Sequence, residues 1–167
     1  MESVARSSSA YKRKYDFFDT ASTTTLLNGS LAEFAQRNGQ PVAVISIIDD
    51  DASVRAATYR LVRSLGYIAH TFASADEFLR SFQLNDTSCV IADVHMPGMS
   101  GIELQNLLKT QGHRLPIIFI TAFPEESVRA KALEAGAACF LSKPFDAQIL
   151  IKHLDAAVKG HGCRTGK

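Results

Sequence analysis

Groups that could do chemistry follow several apolar runs of this sequence. Three adjacent aspartates, Asp49 to Asp51, follow the first run, while Asp93, Thr121 and Lys143 follow three later runs. Carboxylates that share one cleft raise each other's pKa unless a cation lies among them. Mg²⁺ is a suitable cation, because it binds a few carboxylates, keeps waters and accepts phosphate oxygens. With Lys143 as a fixed charge and Thr121 as a hydrogen-bond donor, Asp93 could take a phosphoryl group as an acyl phosphate.

Each of these residues also has an ordinary structural explanation. An aspartate after a strand is usually a turn or a helix cap, and Asp51 is placed to cap a helix over residues 53–65. A Lys-Pro pair is usually a surface turn, and a threonine in a strand reflects β propensity. Chance does not readily place all of these groups at the ends of successive strands, so the pattern favours one shared site.

A repeating pattern of strands and helices, beginning at residue 41, spaces these residues. Continuous apolar runs predict strands at 42–48, 89–92, 117–120 and 138–141, and a more polar run predicts an edge strand at 68–72. Continuous runs are typical of a parallel sheet that is covered on both faces. The predicted fold class is therefore α/β, a doubly wound five-stranded parallel sheet with helices on both faces. Ligands bind such sheets at the carboxyl ends of the strands.

Helical patterns fill the gaps between the predicted strands. An apolar face ends at Gly66, a fourth helix covers about 125–135, and Asp146 is placed to cap the last helix. Two capping boxes predict the starts of the second and third helices: Ser74 with Glu77, and Ser100 with Glu103.

The two ends of the chain differ in composition from the segment between them. Residues 1–40 are polar, and we expect a leader that is disordered or partly helical, with a short helix capped by Ser30 and Glu33. Residues 161–167 are expected to form a short tail. Residues 41–160 carry 11 Lys and Arg against 13 Asp and Glu, which is not the basic footprint of a nucleic-acid-binding domain.

The cysteines and the apolar segments bear on the cellular location. Cys89 and Cys139 lie inside apolar runs and are expected to be buried thiols, and the three scattered cysteines form no disulfide framework or zinc site. No apolar stretch approaches the length of a membrane span, and the N-terminus has no signal-peptide pattern. A cytoplasmic protein is the expectation.

Four stretches of the sequence resemble a known family. They are "IIDDDASVR" (47–55), "VIADVHMPGMSG" (90–101), "PIIFITA" (116–122) and "FLSKPF" (140–145). Over about residues 41–160 the chain resembles the receiver domain of two-component response regulators, most closely the FixJ-like kind. The resemblance implies a flavodoxin-like fold with strand order 2-1-3-4-5. Relatives of this kind usually continue into a helix-turn-helix output domain, for which "HGCRTGK" leaves no room, so we expect no specific DNA binding.

The resemblance also implies roles for individual residues. Asp93 would be the phosphoacceptor, and Asp49 and Asp50 would bind Mg²⁺ together with Asp93 and the main-chain carbonyl of His95. Thr121 would bond a phosphoryl oxygen, and Lys143 would pair with the phosphoryl charge.

Two further features are implied in the same way. Phe140 matches an aromatic switch position that works with Thr121, and the Lys143–Pro144 peptide bond would be cis. The residues two after the phosphoacceptor and two after the threonine, His95 and Phe123, would set the lifetime of the phosphoryl group. We expect Phe123 to exclude the hydrolytic water, although its ring could instead pack on the fourth helix.

The implied function is that of a phosphoacceptor in a two-component phosphorelay rather than an enzyme. The donor would be a histidine kinase or a phosphotransfer protein, and phosphorylation would switch a face that binds a second copy or a protein target. One alternative is a haloacid-dehalogenase-like phosphatase, in which "DDDAS" would supply Asp49 as nucleophile and Asp51 as acid. Another is a degenerate receiver that only binds proteins, against which the presence of Asp93, Thr121 and Lys143 argues.

Overall fold

The computed structural model describes residues 42–162, which form an alternating series of strands and helices. The strands are β1 Val44–Ile48, β2 Ile68–Phe72, β3 Cys89–Asp93, β4 Ile117–Thr121 and β5 Cys139–Ser142. The helices are α1 Ala52–Ser64, α2 Ala75–Leu79, α3 Gly101–Thr110, α4 Glu126–Glu134 and α5 Ala147–Gly162, with a short 3-10 helix at Phe82–Leu84. The predicted leader, including its helix at Ser30, lies outside the described residues.

The strands form one parallel sheet in the order β2-β1-β3-β4-β5. This confirms the predicted fold class and strand order. Because all five strands are parallel, their carboxyl ends lie on the same side of the sheet, as the site prediction requires. Asp93 and Thr121 are the last residues of β3 and β4, one position further into the strands than predicted. Their backbones therefore still lie within the sheet, since Asp93 pairs with Ile120 and Thr121 with Ser142.

The helix caps explain where the helices begin. Asp51 caps α1 by accepting hydrogen bonds from the amides of Ser53 and Val54, as its position after β1 predicted. At α3 the predicted capping box of Ser100 and Glu103 is complete.

The capping box predicted for α2 is incomplete. Ser74 accepts a hydrogen bond from the Glu77 amide, but the Glu77 carboxylate accepts from the Ala73 amide, one residue before the cap. The return bond of a capping box goes to the cap residue itself, so the prediction was wrong in this detail. At the far end of the chain, Asp146 accepts a hydrogen bond from the Gln148 amide at the start of α5. That helix continues to Gly162, two residues past the domain boundary predicted at 160.

Two apolar clusters cover the two faces of the sheet. One joins the sheet to α1 and α5 through side chains such as Val62, Leu150 and Leu154. The other joins it to α2, α3 and α4 through side chains such as Phe78 and Leu104. Cys89 and Cys139 are buried free thiols, as predicted, and burial raises the pKa of Cys89 to about 12. Within residues 42–162, no helix is both long and apolar enough to cross a membrane.

Candidate functional site

Asp49 is the most deeply placed carboxylate at the carboxyl edge of the sheet. It follows the last residue of β1 directly and is 4% exposed. One of its oxygens, Oδ1, accepts a hydrogen bond of 2.9 Å from the Asp51 amide, and the other, Oδ2, lies 3.0 Å from Lys143 Nζ. Burial raises the pKa of the Asp49 carboxyl above its ordinary value, Lys143 opposes this shift, and Asp93 adds to it.

Asp93 faces the same lysine from the neighbouring strand. Its Oδ2 lies 3.1 Å from Lys143 Nζ, and its Oδ1 accepts a hydrogen bond of 3.1 Å from the His95 amide. The carboxylate is therefore held at both oxygens, and its side chain is 12% exposed. A group with this access can react with a donor that approaches from the edge of the sheet.

Lys143 bridges the two carboxylates from the end of β5. Burial is the strongest single influence on its pKa and would lower it. The Asp49 and Asp93 carboxylates together outweigh burial, and they hold the pKa of Lys143 above its ordinary value. The ammonium is therefore charged at neutral pH. The following Lys143–Pro144 bond is cis, as predicted.

Asp50 completes an acidic cluster that fits Mg²⁺. One carboxylate oxygen from each of Asp49, Asp50 and Asp93 lies within 4.8 Å of the other two. Hard oxygen donors in this number suit Mg²⁺, which keeps several waters and binds through a few carboxylates. The raised pKa of Asp49 supports the same fit, because one ammonium leaves this buried carboxylate incompletely stabilised. Asp51 is absent from this cluster and serves as a helix cap.

Arg55 belongs to the site, although its sequence position did not suggest it. Its Nη1 donates to the main-chain carbonyl oxygens of Asp49 and Asp50, at 2.5 and 3.4 Å. A guanidinium on α1 therefore fixes the backbone that carries two of the carboxylates. The sequence feature that could have indicated Arg55 is its position, an arginine near the start of the helix that follows the acidic run.

Gly101 is a second residue that the sequence did not single out. It begins α3, and its amide donates to the Val94 carbonyl oxygen at 3.0 Å. A Cβ at this position would overlap the Asp93 carbonyl oxygen and would lie 2.9 Å from Phe119 Cε1. The start of α3 can therefore approach β3 this closely only because residue 101 has no side chain.

Thr121 is fully buried, and its hydroxyl faces the loop after β4. It accepts a hydrogen bond of 3.2 Å from the Phe123 amide and lies 3.1 Å from His95 Nδ1. Phe123 itself is 70% exposed, and its ring meets the His95 ring edge-on at 6.2 Å between centroids. The ring of Phe123 therefore lies next to His95, one of the predicted site residues.

Phe140 is already buried at 4% exposure, in the cluster beneath α2, α3 and α4. Its ring centroid is 6.2 Å from that of Phe119. A switch at this residue would therefore be a rearrangement within the core rather than a movement from solvent into the core.

A cavity of about 740 Å³ lies away from the acidic cluster, at the end of the sheet where β4 and β5 begin. Its lining includes Pro116, directly before β4, Gly136, between α4 and β5, and Gly160, in the last turn of α5. Buried Gln105 Oε1 borders this region and has no hydrogen-bond partner among residues 42–162, but the atom itself is not exposed to the cavity. We place the functional site at the carboxylates, because charged groups meet there.

Comparisons with known proteins agree with this geometry. The response regulator receiver domain family matches residues 45–155. The response regulator protein TodT of Pseudomonas putida is 42% identical over 117 residues, which cover 70% of this chain and 52% of TodT. The transcriptional regulatory protein FixJ of Bradyrhizobium diazoefficiens is 35% identical over 115 residues, which cover 69% of this chain and 56% of FixJ. The chain thus spans about half the length of these relatives.

Solved structures show the same likeness. The response regulator StyR superposes with a TM-score of 0.69 at 37% identity, over 74% of this chain and 63% of StyR. A response regulator receiver protein from Pseudoalteromonas atlantica superposes with a TM-score of 0.66 at 30% identity, over 70% of this chain and 98% of that protein.

Proposed function

The chain belongs to the response regulator receiver domain family, and on that premise we propose that Asp93 accepts a phosphoryl group from a histidine kinase or a phosphotransfer protein. The observation that supports this assignment is the position of Lys143 Nζ, 3.1 Å from Asp93 and 3.0 Å from Asp49. Asp93 is the more exposed of these two carboxylates, with 12% of its side chain accessible against 5% for Asp49. An incoming phosphorus therefore reaches Asp93 first.

The proposed reaction is a direct phosphoryl transfer. A carboxylate oxygen of Asp93 forms a bond to phosphorus while the bond from phosphorus to the donor nitrogen breaks. The electron pair of that bond stays on the donor nitrogen, a proton on the other ring nitrogen makes the leaving group a neutral imidazole, and Asp93 becomes an acyl phosphate. Lys143 then pairs with the new phosphoryl charge, and the Thr121 hydroxyl donates to a phosphoryl oxygen.

Mg²⁺ is the cofactor we propose for this step. Asp49, Asp50 and Asp93 would hold it with their carboxylates, and His95 with its main-chain carbonyl. The ion supplies positive charge to the oxygens of the transferring phosphoryl group.

We propose that phosphorylation changes a protein-binding face rather than a DNA-reading one. Movement of the Thr121 hydroxyl towards the phosphoryl group would let the Phe140 ring repack against Phe119 and reshape the neighbouring face of α4, β5 and α5. The partner of that face would be a second copy of the chain or another protein. The slight acidic excess of residues 41–160 supports the absence of sequence-specific DNA binding by this domain.

Labelling with a small phosphodonor tests the phosphoacceptor. Wild-type protein is incubated with acetyl phosphate and Mg²⁺, and the phosphoaspartate is located by mass spectrometry after reductive trapping. We expect label on Asp93 and none in Asp93→Asn. Asp51→Asn is the matched control, because asparagine caps a helix as well as aspartate does, and it should label normally. Normal labelling of Asp93→Asn would contradict the proposal.

The same experiment tests the phosphatase alternative. Label on Asp49 would support that reaction, but the structure gives it no support. The Asp51 oxygen Oδ1 accepts from the Ser53 and Val54 amides at 2.8 and 3.3 Å, so the proposed acid is engaged as a cap. Asp49 in turn is paired with Lys143.

A further inference from the structure

The Thr121 hydroxyl has two hydrogen-bond partners within reach besides the Phe123 amide, and the tautomer of His95 decides whether its Nδ1 accepts or donates. His95 Nδ1 lies 3.1 Å from Thr121 Oγ1, and the Phe123 carbonyl oxygen lies 3.4 Å away with less favourable length. The Phe123 amide already donates to the hydroxyl oxygen at 3.2 Å. Among the described residues, the His95 ring is therefore the closest side-chain partner of this hydroxyl, whereas the two main-chain contacts come from Phe123 in the β4–α4 loop.

His95 is tied to the phosphoacceptor as well. Its main-chain amide donates to Asp93 Oδ1 at 3.1 Å, while its ring reaches Thr121 Oγ1. The ring is further placed by the edge of the Phe123 ring, at 6.2 Å between centroids. One residue thus connects the proposed nucleophile on β3 with the proposed switch hydroxyl on β4.

We infer that His95 is a positioning residue that holds Thr121 in the unphosphorylated conformation. The inference rests on the proposed function, in which the Thr121 hydroxyl bonds a phosphoryl oxygen on Asp93. The inference takes the tautomer in which Nδ1 accepts the Thr121 proton. The hydroxyl cannot then give its single proton to both partners, so the His95 contact must break first. His95 therefore competes with the phosphoryl group for Thr121 and lowers the occupancy of the switched state.

Loss of this competitor should make the switched state easier to reach. Beryllofluoride serves as the probe, because it mimics a phosphoryl group on an aspartate. We expect His95→Ala to bind beryllofluoride with Mg²⁺ about two- to tenfold more tightly than wild type does, as the loss of one competing hydrogen bond predicts. His95→Asn should bind like wild type, because the asparagine amide places a polar atom near the position of Nδ1. The NMR shift of the Thr121 methyl group in ligand-free His95→Ala should also move towards its beryllofluoride-bound value. A merely structural role for His95 would not move it in that direction.

A double-mutant cycle assigns the effect to Thr121. Thr121→Ala should weaken beryllofluoride binding, and His95→Ala should then add nothing in that background. Equal tightening in both backgrounds, or no tightening in His95→Ala alone, would overturn the inference while leaving the proposed function intact. Failure of wild-type protein to bind beryllofluoride with Mg²⁺ would instead overturn the proposed function, and the role of His95 with it.

Discussion

Replacement of Lys143 by methionine tests the electrostatic core of the site. Methionine keeps most of the length of lysine but removes the ammonium that lies 3.0 Å from Asp49 and 3.1 Å from Asp93. The two carboxylates then face each other across a mostly buried gap without a cation. We expect a large loss of stability that depends on pH and on Mg²⁺.

The size of the loss follows from the burial of the three groups. The side chains of Lys143, Asp49 and Asp93 are 12%, 5% and 12% exposed, so solvent screens their interaction little. Each ammonium–carboxylate contact corresponds to about 5 kcal/mol at an effective dielectric constant of about 20, before the cost of burying the charges is subtracted. Removal of one partner from a buried ion pair typically costs about 3–5 kcal/mol. We expect about 3 kcal/mol, since Asp49 can relieve part of the cost by taking up a proton.

Urea unfolding followed by circular dichroism measures this difference. Lys152→Met is the matched control, because Lys152 is exposed on α5 and its loss should change the free energy of unfolding by less than about 0.5 kcal/mol. The experiment begins at pH 7.5 without divalent cations. A Lys143→Met variant as stable as the control would refute the electrostatic argument.

The pH dependence has a defined sign at each end of the range. The pKa of Lys143 is raised in the folded protein, so its contribution is complete below the unfolded value of 10.5 and is lost as the pH rises through the folded pKa. Wild type should therefore lose its advantage over the variant as the solution becomes alkaline. The pKa of Asp49 is also raised, so its protonation stabilises the fold as the pH falls towards and below its folded pKa. In the variant this effect is larger, and the gap from wild type should narrow in acid.

Added Mg²⁺ should stabilise Lys143→Met more than wild type. The variant has the same carboxylates but no ammonium competing for them, so its affinity for a divalent cation should rise. A ligand that binds only the folded state stabilises it in proportion to the logarithm of its saturation. Equal stabilisation of both proteins by Mg²⁺ would show that Lys143 and the cation do not share the carboxylates.

Three further changes test other parts of the structure. Asp50→Ala should weaken Mg²⁺ binding at least tenfold in a calorimetric titration, because it removes one of few carboxylate ligands. If the variant bound Mg²⁺ as tightly as wild type, Asp50 would not be a ligand. Phe123→Glu should speed the loss of phosphoaspartate at constant Mg²⁺, because a carboxylate can orient water where a phenyl ring excludes it. Unchanged or slower decay would contradict the expectation that Phe123 excludes the hydrolytic water. Gly101→Ala should cost about 1–3 kcal/mol of unfolding free energy through overlap with the Asp93 carbonyl. Gly160→Ala meets nothing within 4 Å and should instead stabilise by up to about 1 kcal/mol, and equal effects of the two would contradict the packing argument.

The sequence predicted the sheet and the carboxylates because both follow from local patterns. Continuous apolar runs mark strands that are covered on both faces, and the residue types at their ends mark the functional edge. The boundaries were less predictable, since Asp93 and Thr121 continue their strands by one residue through pairing with neighbouring strands. Pairing partners are set by the three-dimensional register, which no local pattern records.

The supporting contacts could not be predicted for a related reason. The bond from Arg55 to the Asp49 carbonyl and the contact between His95 and Thr121 depend on side-chain directions at junctions between elements. The need for glycine at 101 depends on how closely α3 approaches β3. Motifs in the sequence predict which groups would react, whereas these contacts arise only from packing.

The three adjacent aspartates are tolerated because they do not act as one cluster. Asp51 directs its carboxylate to the amides at the start of α1, where the helix dipole stabilises negative charge. Asp49 and Asp50 join Asp93 instead, and Lys143 contacts two of these three carboxylates, so the four groups together carry a formal charge of −2. One divalent cation neutralises that charge. A phosphoryl group on Asp93 would replace the carboxylate charge with a larger negative charge, so a site that needs the cation at rest would need it more in the phosphorylated state.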